Sequence, residues 1–306
     1  MTEAHSLRRR HAVSVLLAAA LFAGPAFGAQ SAVPSPDLSG VWAREFIGFD
    51  PPASGHGPIA NLSRMSSGQA NINTPVGDYN DPIFTPEAAT IIKRRGEISL
   101  SGENFPQPAN QCAPQPTPYV LWQQKIEFIQ KQDEVVILYQ FDHHIRRVRL
   151  NAEHPRQIVP SWSGDSVGYY EDGILVIDTV GVKTGPLSMV DRLGTPQSDA
   201  VHVVERYRLI DYEAALEATR IAERENLHLT PERPISDGVG IDPDYRGKAL
   251  QVEFTVEDTN VITMPWSASS TYRKSAVPLE ERVCAETLHV YHGQDPAVPT
   301  ADKPDF

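Results

Sequence analysis

The chain has 306 residues, 22% of them charged, and a formal net charge of −12 at pH 7. An acidic balance of this size argues against nucleic acid or an anionic membrane surface as partner, because both repel negative charge. The two cysteines are too few for a zinc site of four cysteines.

Residues 1–28 have the pattern of a secretory signal peptide. Three arginines, Arg8–Arg10, precede an apolar run over 12–23, and the small residues Ala26 and Gly28 suit cleavage. The apolar run is too short for a permanent anchor, so we expect no membrane association after cleavage. The protein is therefore expected to be periplasmic or secreted, with the general and the twin-arginine export routes both open.

Residues 29–118 form a predicted loop-rich segment, because they abound in Pro, Gly, Ser and Asn. A turn at 37–42 leads into a first short strand. One short helix is predicted over 86–96, with Thr85 as its N-cap, Pro86 at its first position and Gly96 as its stop. A Pro-rich loop follows over 104–118.

Residues 119–292 form a predicted β domain built from short, consecutive strands. The strands are expected at 125–131, 134–141, 145–150, 157–161, 167–170, 174–179, 201–210, 249–257 and 261–273. Asp172-Gly173 gives the strongest hairpin signal. No strand alternates with a long crossover helix, so the fold class is mainly β, an antiparallel barrel or sandwich.

An insertion at 212–248 interrupts the predicted strands, and residues 293–306 form a predicted disordered tail. Residues 213–225 have strong helix propensity and precede a loop rich in Pro, Gly and Asp. The insertion is either a flap over one end of the β domain or a loop that extends into solvent. A loop in solvent is compatible with folding, because long insertions are thermodynamically tolerated.

Both cysteines, Cys112 and Cys284, follow the signal. In an oxidising compartment an even cysteine count favours pairing, so we expect one disulfide between the start and the C-terminal end of the β domain. Two separate thiols are the alternative.

Side chains two residues apart share one face of a strand, and on three predicted strands this places a charged side chain on the same face as apolar residues. Glu205 shares a strand face with Val201, Val203 and Tyr207, Arg146 with Val148 and Leu150, and Asp178 with Ile174 and Val176. A register shift of one residue would reverse these faces.

Two interpretations of this inward set compete. In the first, Arg146 and a carboxylate form a buried ion pair that fixes strand register. In the second, Arg146 orients an oxyanion or carboxylate of a substrate and Glu205, with Asp178 or Asp191, transfers protons. His202 and His144 are alternative bases.

The histidines do not have metal-ligand spacing, and we expect neither a metal nor another cofactor. His143 and His144 are adjacent and would point to opposite faces of a strand, and no HxH or HExxH pattern occurs. His154 precedes Pro155 and suits a turn, while His202 shares its face with Arg206 and suits the surface.

Residues 164–168 read GDSVG and match the G-x-S-x-G pattern of serine hydrolases. That pattern requires a strand–turn–helix elbow, and here a strand follows instead, so the match is interpreted as accidental. Trp162 and Tyr207 are candidates for lining a substrate pocket, although aromatic residues on strands usually belong to the core.

Several motifs together resemble a large family of exported bacterial proteins of unassigned function. They are DLSGVW at 37–42, HP at 154–155, SWSGDSVG, DGILVIDT, DRLGTPQSDAVHVVERY, EFTVED, MPW and the late Cys284. Where members of this family often have histidine, this chain has Thr195 and Gln197. The likeness covers about residues 112 to 290, apart from the insertion.

The Gly40-x-Trp42 opening also resembles lipocalin-like barrels, in which a tryptophan closes one end. This resemblance favours the barrel over the sandwich and implies a lumen for one small ligand.

These features predict an exported, cofactor-free acid/base enzyme, a lyase, isomerase or hydrolase, that acts on a small organic molecule in a β-barrel cavity. The alternative is a periplasmic, lipocalin-like protein that binds a small apolar or phenolic ligand without turnover. An enzyme should place acids or histidines with perturbed pKa values beside an open cavity, whereas a carrier should have a closed, apolar lumen.

Overall fold

Nine strands close into one barrel in the computed structural model, which describes residues 35–45, 48–52, 55–57, 60–61, 64, 74–142, 144–225, 240–280 and 282–284. The strands are β1 (Gly40–Ala43), β2 (Lys125–Gln130), β3 (Glu134–Tyr139), β4 (Ile145–Leu150), β5 (Asp165–Glu171), β6 (Ile174–Val180), β7 (His202–Ile210), β8 (Ala249–Glu257) and β9 (Trp266–Lys274). The mainly β fold class is confirmed, as a barrel. The predicted signal peptide, the predicted tail and His143 lie outside the described residues.

One pair of neighbouring strands runs parallel, and the odd number of strands explains why. Strand directions that alternate around a ring return to their starting direction only if the number of strands is even. With nine strands, one pair must be parallel, and that pair is β4–β5. The other eight pairs are antiparallel, including β1–β9, which closes the barrel.

The parallel pair forces the chain to return along the barrel between β4 and β5, over residues 151–164. A strand was expected within this segment at 157–161, but only an isolated bridge from Ser161 to Val182 forms there. This return segment carries His154, Trp162 and Ser163.

The two helices lie outside the barrel. They are α1 (Pro86–Leu100) and α2 (Tyr212–Glu225). Thr85 caps α1 as predicted, by accepting a hydrogen bond from Ala88 N. The prediction that Gly96 ends this helix is wrong: Gly96 is a mid-helix residue packed so closely on Val76 that a Cβ atom would lie 2.8 Å from the valine side chain.

The α2 helix packs against the barrel through small residues. Ala215 and Ala222 are almost fully buried, and Ala222 lines a narrow gap together with Ala43, Arg44 and Arg273 of the barrel wall. Within the described residues, no helix combines the length and the apolar character needed to cross a membrane.

The barrel interior is packed with large side chains. Phe128 and Tyr207 meet edge to face with ring centroids 5.2 Å apart, and Phe254 and Trp266 lie 5.9 Å apart. Trp42 is buried and donates from Nε1 to Leu38 O at 2.8 Å. A narrow barrel filled in this way has a core rather than a pore.

The expected disulfide is present between Cys112 and Cys284, with Cα atoms 5.4 Å apart. It joins the segment before β2 to the segment after β9 across a sequence separation of 172 residues.

Replacing both cysteines by alanine should lower the free energy of unfolding by up to about 5 kcal/mol, because the disulfide restricts a long loop of the unfolded chain. Urea unfolding of the oxidised wild type and of C112A/C284A measures this. Equal midpoints would show that the disulfide adds no stability.

Candidate functional site

A hydrogen-bonded network of buried polar side chains lies inside the barrel, around Arg146. Its Nη1 donates to Glu205 Oε2 at 2.9 Å and its Nη2 to Glu205 Oε1 at 2.6 Å, which makes a bidentate pair. Nη2 also donates to Thr179 Oγ1 at 2.5 Å, and Nε donates to Ser166 Oγ at 3.0 Å. The Tyr207 hydroxyl donates to Glu205 Oε2 at 2.7 Å.

Arg146 and Glu205 are fully buried, so the predicted inward orientation of both is correct. Burial alone would lower the pKa of Arg146, but the charge of Glu205 and its hydrogen bonds outweigh burial and raise that pKa. Burial, followed by the charge of Glu205, raises the pKa of Tyr207 well above its usual range. Arg146 therefore stays charged and Tyr207 stays protonated at neutral pH.

This network supports the structural interpretation of the inward set. The guanidinium and carboxylate satisfy each other, and three hydroxyl groups complete the arrangement, as a buried ion pair requires. Arg146 and Glu205 line none of the three described clefts. A substrate would have to break the core to reach Glu205.

Ser166 of the GDSVG match belongs to this network, since its Oγ accepts from Arg146 and lies 3.0 Å from Thr179 Oγ1. It is buried and is not placed as a nucleophile. Tyr207 is also a core residue. Trp162 lies in the return segment outside the barrel, with Lys183 Nζ 5.2 Å from its ring centroid.

Asp191 is buried in a turn of the described chain, away from the Arg146 network. Its Oδ1 accepts from Leu193 N at 3.0 Å and Thr195 N at 3.1 Å, and its Oδ2 accepts from Thr195 Oγ1 at 2.9 Å. Burial raises the pKa of Asp191 although these hydrogen bonds oppose the shift. Its contacts are those of a residue that holds a turn, and Thr195 serves that turn.

The inward assignment of Asp178 is wrong. Its side chain is 36% exposed, and Leu175, Ile177 and Thr179 are the inward residues of β6. Both alternating sets of β6 contain apolar residues, so alternation alone could not distinguish the faces.

On the outer face, Asp178 joins two histidines into a chain of alternating carboxylates and imidazoles. His154 Nε2 lies 3.0 Å and His202 Nε2 3.1 Å from the Asp178 carboxylate. His154 Nδ1 lies 2.6 Å from Asp165 Oδ1, and His202 Nδ1 lies 3.3 Å from Glu257 Oε2. We call these five residues the outer histidine chain.

The outer histidine chain joins the return segment to β5, β6, β7 and β8. Partial burial lowers the pKa of His202, but hydrogen bonds and charge from Asp178 and Glu257 outweigh burial and raise it. His154 was predicted to be a turn residue, and its contacts with both aspartates could not be read from the sequence. No group of three or more His, Cys, Asp or Glu side chains in the described residues has an arrangement that could hold a metal ion.

His144 lies in a different place, at a cleft of about 320 Å³ beside the disulfide. The cleft is lined by Cys112, Ala113, Pro114, Gln115, Phe141, Asp142 and His144. His144 Nε2 lies 3.0 Å from Ser163 Oγ of the return segment. Burial, with a further contribution from the charge of Arg146, lowers the pKa of His144 to about 4, although Asp142 opposes the shift.

The fold therefore separates some candidates that the sequence had grouped into one site. Glu205, Arg146 and Tyr207 share the interior, Asp178 and His202 share the outer face, and His144 lines the cleft. Ser163 and Arg282 were missed, because their proximity to the cleft depends on the return segment and on the segment beside Cys284.

Comparison with known proteins gives no match: no family model, no curated protein and no solved structure is similar to this chain.

Replacing Glu205 by Gln should lower the free energy of unfolding by about 3–5 kcal/mol, because the buried guanidinium loses its counter-charge. E253Q is the matched control: it changes a carboxylate that pairs with Arg208 at the surface at 2.6 Å and should cost under about 1 kcal/mol. Urea unfolding compares the two. Similar losses would contradict the structural role of the interior pair.

H202Q should destabilise the protein more at pH 5.5 than at pH 9. The pKa of His202 is raised in the folded protein, so its contribution is fully present below the unfolded value of about 6.5 and is lost as pH rises through the folded pKa. Melting temperatures at several pH values, with D178N as a second variant, measure the difference. A difference that grew with pH would contradict the assignment.

Proposed function

We propose that the protein is an exported, cofactor-free acid/base enzyme with His144 as its base, acting on a small organic molecule in the cleft beside the disulfide. The observation that carries this proposal is the His144 imidazole, which lines an open cleft and lies 3.0 Å from a serine hydroxyl. This proposal moves the reactive site to a surface cleft, whereas the sequence had predicted a site in the β-barrel cavity.

The protonation state of His144 supports this role. With a pKa of about 4, the imidazole is unprotonated at neutral pH and is able to accept a proton. The ring is a weak base. It therefore suits a step in which the proton moves to it while the nucleophile forms its new bond, so that the positive charge on the ring develops beside the negative charge on the substrate.

The Ser163 hydroxyl favours a hydrolase among the three reaction classes. In that reaction Ser163 Oγ attacks an acyl carbon while its proton passes to His144 Nε2. The leaving group then takes the proton from Nε2, and water releases the acyl group by the same route. The dyad needs no metal and no bound cofactor for these steps.

The interior packing gives less support to the binding protein. A carrier of the lipocalin type needs an apolar lumen, and here the lumen at the level of Arg146 holds an ion pair and aromatic side chains. Export is supported by the signal-like sequence at 1–28 and by the disulfide.

The proposal is tested with p-nitrophenyl acetate and butyrate over pH 3.5 to 9. H144Q and S163A should each lower kcat/KM by about 10²–10⁴-fold, and the acid limb of wild-type kcat/KM should fall near pH 4. The matched control is H56Q, because His56 pairs with Asp81 at 3.4 Å and does not line the cleft.

Retention of activity in H144Q, or an acid limb near pH 6.5, would overturn the role of His144. Wild-type hydrolysis no faster than that of a heat-unfolded sample would overturn the hydrolase assignment.

A further inference from the structure

Arg282 is an exposed arginine that the fold holds at the edge of the His144 cleft. It forms an isolated parallel bridge with Phe141, and Asp142 N donates to its carbonyl at 2.8 Å. Two residues further on, Cys284 N donates to Asp142 Oδ1 at 2.8 Å, and Cys284 is disulfide-bonded to Cys112. The backbone of Arg282 is thus fixed against Phe141 and Asp142, and the disulfide holds the same segment to Cys112; all three of these residues line the cleft.

The guanidinium of Arg282 lies over an aromatic wall of the cleft. Its Cζ is 4.7 Å from the Phe141 ring centroid, and Phe141 lines the cleft. Stacking on a ring face leaves the N–H groups at the edge of the guanidinium free to donate.

This arginine differs from those on the barrel wall in having no carboxylate partner among the described residues. Arg147, Arg149, Arg206 and Arg208 each form an ion pair with Asp or Glu. For Arg282, by contrast, the described part of the chain shows no ion pair and no hydrogen bond to the guanidinium. In a chain with 39 acidic and 27 basic residues, an unpaired guanidinium beside a cleft is a binding group for an external anion.

A second guanidinium, that of Arg192, contacts the aromatic side chain that packs against Phe141. Arg192 Cζ lies 4.6 Å from the Trp122 ring centroid, and the Trp122 and Phe141 ring centroids are 5.3 Å apart. Arg192 Nε is buried and has no hydrogen-bond partner in the described part of the chain. One guanidinium therefore stacks on each ring of the Trp122–Phe141 pair.

We infer that Arg282 selects substrates with a carboxylate group, whose apolar body packs against Phe141. This inference rests on the proposed function, because it takes the bound molecule to be the substrate. A planar guanidinium and a carboxylate match in bidentate geometry, and the ring offers an apolar surface beside them. Asp142 lines the cleft and repels an anion, so the carboxylate is expected at the edge of the cleft where Arg282 stacks on Phe141.

Benzoate and its neutral isostere benzamide test this inference by calorimetry at pH 7, with no turnover required. Wild type should bind benzoate at least about tenfold more tightly than benzamide, since a hydrogen-bonded ion pair replaces a neutral contact. R282Q should lose this preference and R282K should keep part of it. The matched control R156Q, which removes an exposed arginine of the return segment that does not stack on Phe141, should keep all of it.

Equal binding of the two probes by wild type, or an unchanged preference in R282Q, would overturn the role of Arg282. H144Q should keep the preference for benzoate, because the carboxylate contacts Arg282. A preference for benzoate that depends on Arg282, found in a protein without esterase activity, would therefore contradict the proposed hydrolase and leave the carboxylate site standing.

Discussion

Arg146 donates two hydrogen bonds to Glu205 in the interior of the barrel, and the network around this pair draws on four consecutive strands. Arg146 lies on β4, Ser166 on β5, Thr179 on β6, and Glu205 with Tyr207 on β7. The network therefore crosses the β4–β5 pair, which is the parallel pair of the barrel and is held by three residue pairs, from Val148–Ser166 to Leu150–Gly168.

The need to close nine strands creates this junction, and the charged network holds it. Moving β5 by one residue along β4 would turn Ser166 away from Arg146 and leave a buried guanidinium N–H without an acceptor, which is costly. Register is thus specified at a short β ladder of three residue pairs. The same packing occupies the space in which a barrel of this kind would otherwise bind a ligand.

Two surface features follow from the parallel pair. Because the chain returns over 151–164, His154 reaches Asp165 and Asp178 on the outer face, and Ser163 reaches His144 at the cleft. The outer histidine chain joins strands and the return segment through partly exposed groups. The His144–Ser163 contact instead lies beside an open cleft, with the lowered pKa that a neutral base requires.

Sequence patterns predicted most of the strands and the disulfide, but not the irregular course of 157–161. They also predicted the faces of Arg146 and Glu205, because the strands of these residues carry one apolar and one charged set. They failed for Asp178, since Ile174 and Val176 make the outer set of β6 as apolar as the inner one. They also failed for Gly96, whose role is close packing on Val76.

The contacts of Ser163, His154 and Arg282 could not be predicted for another reason. They depend on where an irregular segment runs after a parallel junction, and on how the disulfide positions the chain beside Phe141. The hydrophobic periodicity of a sequence gives no information on such contacts.

We propose that the working base is a neutral imidazole at the cleft rather than a carboxylate in the barrel. An NMR titration of the His144 ring nitrogens, assigned by their absence in H144Q, distinguishes the two. The imidazole is expected to stay neutral down to about pH 5 and to titrate near pH 4, and its resonances are expected to shift when benzoate binds. Titration near pH 6.5, with no response to the ligand, would contradict it.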